Sequence, residues 1–405
     1  MTNLPTEFIH STRQLMGNER FERFLHSFEE PSPVSIRLNT LKSNGLIAIS
    51  GEQVPWCQGG YYLQSRPNFT FDPLFHAGCY YVQEAASMFL DEVIRQHLPA
   101  LLRANGGGLA LDLCAAPGGK STLLRTALPA DWTLYSNEPM RGRASILLEN
   151  ITKWGHERHH VTNLYPKDYR KSKMKFDLIL CDVPCSGEGM FRKDEATIGE
   201  WSPQNVERCW QLQRDIVGDA WTCLNEGGLL IYSTCTFNTK ENEENIRWII
   251  DELGADVLPV VTKAEWNITG SLLEGFTYPV YRFIPGITRG EGLFMCVLRK
   301  KGHLPASAPS KKANADILKV LTPPVSTEGM TAERVELTYQ QAIAYLRGEA
   351  LVLPAATPRG IVAVAFQQHI LGTMKNIGSR ANNLYPKEWR IRTTHTPDTY
   401  VPILG

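Results

Sequence analysis

The sequence has no excess of charge and no long hydrophobic segment. Its 42 lysines and arginines are balanced by 42 aspartates and glutamates, so the formal net charge at pH 7 is zero. A uniformly basic surface that would hold any polyanion is therefore excluded, and nucleic-acid contact must come from local patches. One such patch runs from Arg141 to Lys175. No apolar run approaches the roughly 18 to 20 residues that a membrane span needs, so we expect no membrane association.

The sequence also lacks the signatures of an exported or zinc-binding protein. Its nine cysteines follow no C-x-x-C spacing, and no basic start with an apolar signal segment precedes them. A disulfide-built exported protein is therefore not expected. His156, His159 and His160 have no cysteine or carboxylate cluster at ligand spacing. We expect a cytoplasmic protein with reduced thiols and no metal site.

The chain of 405 residues is too long for one ordinary domain, and its composition changes along its length. We predict an N-terminal accessory domain over 1–98 and an alternating strand-and-helix domain over 99–301. A linker rich in Pro, Ser, Ala and Lys is predicted over 302–326, and a small third domain with short strands such as Ile361–Phe366 over 327–405.

The middle region has the pattern of a parallel sheet covered by helices on both faces, because short apolar runs alternate with longer helical stretches. We predict an α/β fold with a late antiparallel pair near Tyr281–Ile284 and Leu293–Arg299. The predicted parallel strands are Leu109–Leu113, Trp132–Ser136, His160–Thr162, Asp177–Cys181 and Leu229–Ser233.

The segment Leu111–Thr122 reads LDLCAAPGGKST and joins an apolar strand, a loop of small residues and a helix start. Small residues let a ligand approach the backbone, and the first amides of a helix have no partner inside it. A Walker loop would need glycine where Cys114 stands, and the G-x-G-x-x-G pattern is missing. Considered alone, the loop is either a structural turn or a cofactor cradle. The cradle would consist of Cys114, Ala115, Ala116, Pro117, Gly118, Gly119 and Lys120.

Polar residues follow the next strands as well. Glu138 comes after the second strand, where a carboxylate accepts hydrogen bonds from both ribose hydroxyls of a nucleotide. The fourth strand leads into Asp182 and Cys185, and the fifth ends at Cys235. Since ligands bind beyond the carboxyl ends of parallel strands, these residues are expected to meet the cradle in one crevice. The cysteines without such a setting are expected to be packing residues: Cys57, Cys79, Cys181, Cys209, Cys223 and Cys296.

These motifs resemble the Sun-type RNA cytosine-5 methyltransferases, and most closely the bacterial RsmF-like ribosomal RNA enzymes. The C-terminal segments YLRGE (345–349) and NNLYPKEWR (382–390) are similar to the PUA-type domain of those enzymes. Besides the cradle, the resemblance rests on RLNTLK (37–42), GCYYVQEAAS (78–87), DVPCSGEGMFRKD (182–194), STCTFNTKENEEN (233–245) and GLFMCVLRK (292–300).

The resemblance implies a Rossmann-like class I methyltransferase sheet between a small N-terminal α+β domain and a small PUA-like β-rich domain. It also implies S-adenosylmethionine as cofactor and an RNA substrate, 16S rRNA or the small ribosomal subunit, with transfer RNA as the alternative. We expect the enzyme to be a monomer. Where the family places an adenine-contacting acid after the third strand, this chain has Tyr165, so Asn163 or else Asp168 is expected to replace it.

The resemblance further implies a covalent mechanism. Cys235 is expected to add to C6 of cytosine so that C5 can accept the methyl group, and Cys185 is expected to assist release of the product. Asp182 is expected to hold the edge of the base, and Lys120 to contact the base or the methionine end of the cofactor.

Overall fold

A computed structural model describes most of the chain, and every structural statement below concerns its described residues. These are residues 4–43, 45–104, 106–305, 318–325, 330–393 and 397–405, without the side chains of 330–332.

The N-terminal region combines a helical hairpin with a small antiparallel sheet. The sheet has four strands in the order β2-β3-β1-β4. Phe8, Phe21 and Phe24 lie on one face of the helical hairpin, are buried, and pack against Phe191 and Phe237 of the next region. The elements are α1 (Thr6–Met16), α2 (Asn18–His26), β1 (Val34–Leu38), β2 (Glu52–Gln53), β3 (Gly60–Leu63), α3 (Pro73–His76), β4 (Tyr80–Val82) and α4 (Phe89–His97).

The middle region alternates strands and helices. Its elements are β5 (Gly108–Asp112), α5 (Gly119–Ala127), β6 (Trp132–Asn137), α6 (Arg141–Trp154), β7 (His159–Thr162), α7 (Pro166–Ser172), β8 (Phe176–Asp182), α8 (Ala196–Glu200), α9 (Pro203–Cys223), β9 (Leu224–Thr234), α10 (Glu243–Leu253), β10 (Asp256–Leu258), β11 (Tyr281–Phe283) and β12 (Leu293–Arg299).

These strands form one eight-stranded sheet in the order β10-β12-β9-β8-β5-β6-β7, with β11 beside β12. Strands β5 to β9 are parallel, whereas β10, β11 and β12 pair antiparallel. Apolar clusters cover both faces, which is why the strands read as continuous apolar runs. The predicted α/β fold with an antiparallel ending is confirmed. The chain order reverses between β5 and β8, so a crevice opens at the carboxyl ends of these strands.

The C-terminal region contains β13 (Met330–Glu336), α11 (Tyr339–Leu346), β14 (Gly360–Phe366), β15 (His369–Asn376) and β16 (Ala381–Asn383). Strand β14 corresponds to the predicted strand, and the sheet order is β13-β14-β15-β16. The region shares an apolar cluster with the N-terminal sheet, and the Tyr339 hydroxyl donates to the Phe71 carbonyl at 3.1 Å.

Most of the predicted linker lies outside the described residues, at 306–317 and 326. Its part at 318–325 runs beside β7, where Leu321 N donates to the Val161 carbonyl at 2.8 Å. Among the described residues, no helix is both long and apolar enough to cross a membrane.

Candidate active site

The cradle loop leaves β5 at Asp112 and reaches α5 at Gly119. Gly118 has a φ of 118°, a backbone conformation that side-chain-bearing residues rarely adopt. The Asp112 carboxylate is buried, and its Oδ2 accepts a hydrogen bond from the Ser121 hydroxyl at 2.6 Å. Its Oδ1 has no hydrogen-bond partner among the described residues. Burial raises the pKa of Asp112 to about 7.

Asn137, at the end of β6, ties together the loops that follow three parallel strands. Its side-chain amide donates to the Leu113 carbonyl at 3.1 Å and the Leu164 carbonyl at 2.9 Å. Its Oδ1 accepts from the Thr162 hydroxyl at 2.9 Å and from Leu164 N at 3.0 Å. The backbone carbonyl of Asn137 also accepts from Ala115 N at 2.8 Å. The fully buried side chain of Asn137 therefore holds the loops after β5 and β7 against the end of β6.

The residues predicted for the nucleoside end of a cofactor lie on these loops. Glu138 is buried, and its carboxylate accepts from Met140 N at 2.9 Å and lies 3.4 Å from the Arg143 guanidinium. The Asn163 amide donates to the carbonyls of Glu138 and Pro139 at 2.7 and 2.9 Å.

The alternative residue, Asp168, is engaged in capping α7, where its Oδ2 accepts from Tyr165 N at 3.1 Å. The Tyr165 side chain itself is exposed. Neither Asn163 nor Asp168 is free of structural hydrogen bonds.

Lys120 and Asp182 meet across the crevice. Lys120 Nζ lies 2.9 Å from Asp182 Oδ2, and the Ser233 hydroxyl donates to Asp182 Oδ1 at 2.5 Å. Burial alone would lower the pKa of Lys120, but the Asp182 carboxylate outweighs it and raises that pKa. The ammonium form of Lys120 is thus favoured, and the Asp182 side chain is partly exposed.

Cys185 and Cys235 lie next to each other on the loops after β8 and β9. Their sulfur atoms are 3.1 Å apart, and Cys235 N donates to Cys185 Sγ at 3.4 Å. The hydrogen bond between the two sulfur atoms, together with burial, raises the pKa of the Cys185 thiol. The other cysteine of the site, Cys114, lies in the cradle loop, and burial raises the pKa of its thiol as well.

Two buried carboxylates connect the cysteine loops. Glu188, after Cys185, accepts from Phe237 N at 2.7 Å and Asn238 N at 3.0 Å. Glu241, after Cys235, accepts from Ser186 N at 3.0 Å. Burial raises the pKa of Glu241 to about 7.

Within the described ranges, no group of three or more His, Cys, Asp or Glu side chains is arranged to hold a metal ion.

Comparison with known families assigns all three regions. A model described as 16S rRNA methyltransferase RsmB/F matches residues 99–299. The N-terminal domain of 16S rRNA methyltransferase RsmF matches residues 4–85, and the methyltransferase RsmF PUA domain matches residues 332–391.

The chain belongs to the RsmB/F methyltransferase family. It is 32% identical over 331 residues to ribosomal RNA small subunit methyltransferase F of Pectobacterium atrosepticum, an alignment covering 75% of this chain and 64% of that protein. The chain thus spans just under two thirds of that relative's length. The protein of the same name from Shigella dysenteriae is 28% identical, with 95% of this chain and 96% of that protein covered.

A solved structure of a methyltransferase homolog from Pyrococcus horikoshii shares the fold of this RsmB/F chain. The two are 25% identical with a TM-score of 0.58, and the match covers 73% of this chain and 100% of the other.

The structure of this RsmB/F chain brings predicted site residues together in pairs: Lys120 with Asp182, Cys185 with Cys235, and Glu138 with Asn163. Five further polar residues that the sequence did not indicate make hydrogen bonds at the same end of the sheet: Asp112, Asn137, Glu188, Ser233 and Glu241. Asp112 and Ser233 stand at the ends of apolar runs, a position that could have signalled a site residue. The hydrogen bonds of Asn137, Glu188 and Glu241 join separate loops, and no local pattern predicts such contacts.

Proposed function

We propose that the protein transfers a methyl group from S-adenosylmethionine to C5 of a cytosine in RNA, through a covalent bond between Cys235 and C6 of the base. The observation that carries this proposal is the pair of thiols 3.1 Å apart beside the Lys120–Asp182 pair. These groups lie at the carboxyl ends of parallel strands, which is the edge of the sheet where ligands bind in such folds.

The donor set of the crevice fits S-adenosylmethionine. The unpartnered Oδ1 of Asp112 suits an ammonium group, and the first turn of α5 suits a carboxylate. Glu138 and Asn163 lie after β6 and β7, on the side where we propose that the ribose and adenine bind. When bound, the cofactor would supply an electrophilic methyl group. The cradle residues 114–120 would enclose its methionine end.

The residues of the crevice support attack by Cys235. Cytosine C5 is a poor nucleophile, so a bond from the Cys235 sulfur to C6 must first shift the electrons of the ring double bond toward C5. We propose that Asp182, held by Lys120 and Ser233, accepts a hydrogen bond from the exocyclic amine of the base, and that the Lys120 ammonium offsets the negative charge that the sulfur brings into the ring.

Cys185 is suited to the second half of the reaction. Its raised pKa keeps its thiol protonated, and its sulfur accepts the N–H of Cys235. After C5 has gained its methyl group, the C5 proton must leave and the bond between C6 and Cys235 must break. We propose that the Cys185 thiol gives its proton to the departing Cys235 sulfur and that the resulting Cys185 thiolate takes the C5 proton, so that the C5–C6 double bond re-forms and both thiols are restored.

The choice of RNA rests on the family. The relatives carry the name of ribosomal RNA small subunit methyltransferase F, and the RsmF PUA domain matches the C-terminal region. We therefore propose 16S rRNA or the small subunit as substrate, bound by a monomer in the cytoplasm. Exposed lysines and arginines of the patch from Arg141 to Lys175 supply local positive charge: Arg141, Arg143, Lys167, Arg170, Lys171, Lys173 and Lys175.

The test compares three variants with radiolabelled S-adenosylmethionine and 16S rRNA. Cys235→Ala should abolish transfer, whereas Cys185→Ala should accumulate a covalent protein–RNA adduct visible on a denaturing gel. Cys209→Ala, which removes a buried thiol on α9, is the control and should transfer normally. An adduct from Cys235→Ala and none from Cys185→Ala would reverse the two roles. Absence of 5-methylcytosine after transfer by the unaltered protein would refute the proposal.

A further inference from the structure

The backbone pairing of the sheet does not extend to the two thiols. The pairing of β8 with β9 ends at Asp182 and Ser233, followed by one hydrogen bond from Val183 N to the Ser233 carbonyl at 3.0 Å. Cys185 and Cys235 lie beyond this point, on loops. Their separation must therefore be set by contacts between the loops themselves.

Each cysteine loop contributes one buried glutamate that binds the backbone of the other. Glu188 follows Cys185 by three residues and accepts the N–H groups of Phe237 and Asn238. Glu241 follows Cys235 by six residues and accepts the N–H of Ser186, next to Cys185. The two carboxylates are 3% and 0% exposed, respectively. The contacts are reciprocal, so the loops cannot separate without breaking both.

We propose that Glu188 and Glu241 are positioning residues that set the separation of the Cys185 and Cys235 thiols. The catalytic importance of this separation rests on the proposed function, whereas the effect of the two glutamates on the distance between the thiols does not. Further contacts support the same arrangement: Gly189 N donates to the Cys235 carbonyl at 2.7 Å, and the hydroxyls of Ser186 and Thr236 are 2.8 Å apart.

Every hydrogen-bond partner described for the Glu188 carboxylate is a donor, and the Glu241 carboxylate lies close enough to repel it. Oε2 faces the two backbone N–H groups, and Oε1 accepts from the Trp201 indole and from the Asn238 amide, both at 3.0 Å. A carboxylate has only acceptors, whereas a glutamine amide would turn an NH₂ group toward two donors. Glutamine has nearly the same shape, so a residue that merely fills space would tolerate it. Glu188→Gln therefore separates positioning from packing.

Glu241 should be less sensitive to the same change. Its Oε2 accepts from Ser186 N and from the Gln213 amide at 2.7 Å, but its Oε1 has a single donor, the Asn238 amide at 2.8 Å. Glu241→Gln can keep an acceptor toward Ser186 and Gln213 and loses only the contact with Asn238. We expect a graded pair of variants, with Glu188→Gln the more severe.

The separation of the thiols can be measured without any methyl transfer. Diamide takes up two electrons and two protons as two thiols become a disulfide, and the rate reports how often the sulfur atoms meet. Mass spectrometry of peptides then identifies the bond between Cys185 and Cys235. We expect this bond to form at least about tenfold more slowly in Glu188→Gln than in the unaltered protein, with a smaller loss in Glu241→Gln.

The control is Glu92→Gln, which removes another buried carboxylate, on α4, where Glu92 pairs with Arg95. Its disulfide rate should stay within twofold of the unaltered protein. In the transfer assay, kcat of Glu188→Gln should fall about a hundredfold, because displacements of about 1 Å cost that much, while KM for RNA is retained. Thermal unfolding of each variant verifies the fold, and Glu241→Ala, which removes the acceptor for Ser186 N and should slow the disulfide as well, carries the test if Glu188→Gln does not fold.

Unchanged disulfide rates in both loop variants would overturn the inference. If the unaltered protein transfers no methyl group while the loop variants still form the disulfide slowly, the proposed function fails and the positioning role stands.

Discussion

Replacing Asn137 by aspartate should destabilise the protein, and the loss of stability should depend on pH. Asn137→Asp keeps the shape but replaces the amide that donates to the Leu113 and Leu164 carbonyls. A carboxylate oxygen would then face two carbonyl oxygens at a fully buried position. Two buried carbonyls lose their donor, at about 1–3 kcal/mol each, and a buried charge is added beside them, to which the Thr162 hydroxyl and Leu164 N still donate.

We expect Asn137→Asp to lower the free energy of unfolding by about 3–5 kcal/mol at pH 8. At about 2–4 °C per kcal/mol for a region of this size, the midpoint of thermal unfolding should fall by about 6–20 °C. The Thr162 hydroxyl and Leu164 N still donate to one oxygen of the introduced carboxyl, but its other oxygen faces two carbonyls at a buried position. We expect burial and these carbonyls to outweigh the two donors, so that the pKa of the carboxyl in the folded protein lies above the unfolded value of about 3.9. Protonation of the introduced carboxyl restores one hydrogen-bond donor. The loss of unfolding free energy in Asn137→Asp should therefore become smaller as the pH falls from 8 to 5.

The assay is thermal unfolding at pH 8 and pH 5, each variant being compared with the unaltered protein at the same pH. Asn68→Asp, at an exposed position, is the control for added negative charge and should shift the midpoint by less than about 1 °C, as exposed substitutions usually do. A deficit of Asn137→Asp that is equal at both pH values, or larger at pH 5, would refute the donor argument.

Two further predictions concern buried charges at the sheet. The pKa of Asp112 is raised to about 7 by burial, so the folded state binds its proton more tightly than the unfolded chain and loses this contribution as the pH rises from 5 to 8. As the pH rises from 5 to 8, the unfolding free energy of Asp112→Asn, measured with urea, should therefore increase relative to that of the unaltered protein. A relative decrease over this range would contradict the raised pKa of Asp112. Arg103 donates to both oxygens of Asp177, at 2.6 and 3.0 Å, in a pair that is nearly fully buried. Arg103→Met should cost about 3–5 kcal/mol of unfolding free energy, because it leaves Asp177 unpaired; a loss below about 1 kcal/mol would show that Leu109 N and Asn225 suffice for this carboxylate.

Sequence patterns predicted the sheet because its strands are buried on both faces. A run such as Phe176–Asp182 has no polar residue at intermediate positions except Asp177, and Asp177 is paired with Arg103 inside the core. The position of site residues followed from the same rule, since Asp182 and Cys235 stand where strands end. What the sequence did not reveal are contacts between loops far apart in the chain, such as Glu188 with Phe237 or Asn137 with Leu113.

The two cysteines share one residue type, and their proposed division of labour arises from the backbone around them. The thiol of Cys185 hydrogen-bonds the Cys235 sulfur and is partly buried between the loops, so its pKa is raised, although the N–H of Cys235 acts in the opposite direction. Cys235 is held through its backbone, because its N–H donates to Cys185 Sγ and its carbonyl accepts Gly189 N of the Cys185 loop. A side chain at Gly189 would meet that carbonyl at 2.6 Å, so the contact requires glycine. The last glycine of C-S-G-E-G therefore holds the backbone of Cys235, 46 residues further along the chain, which the motif alone does not show.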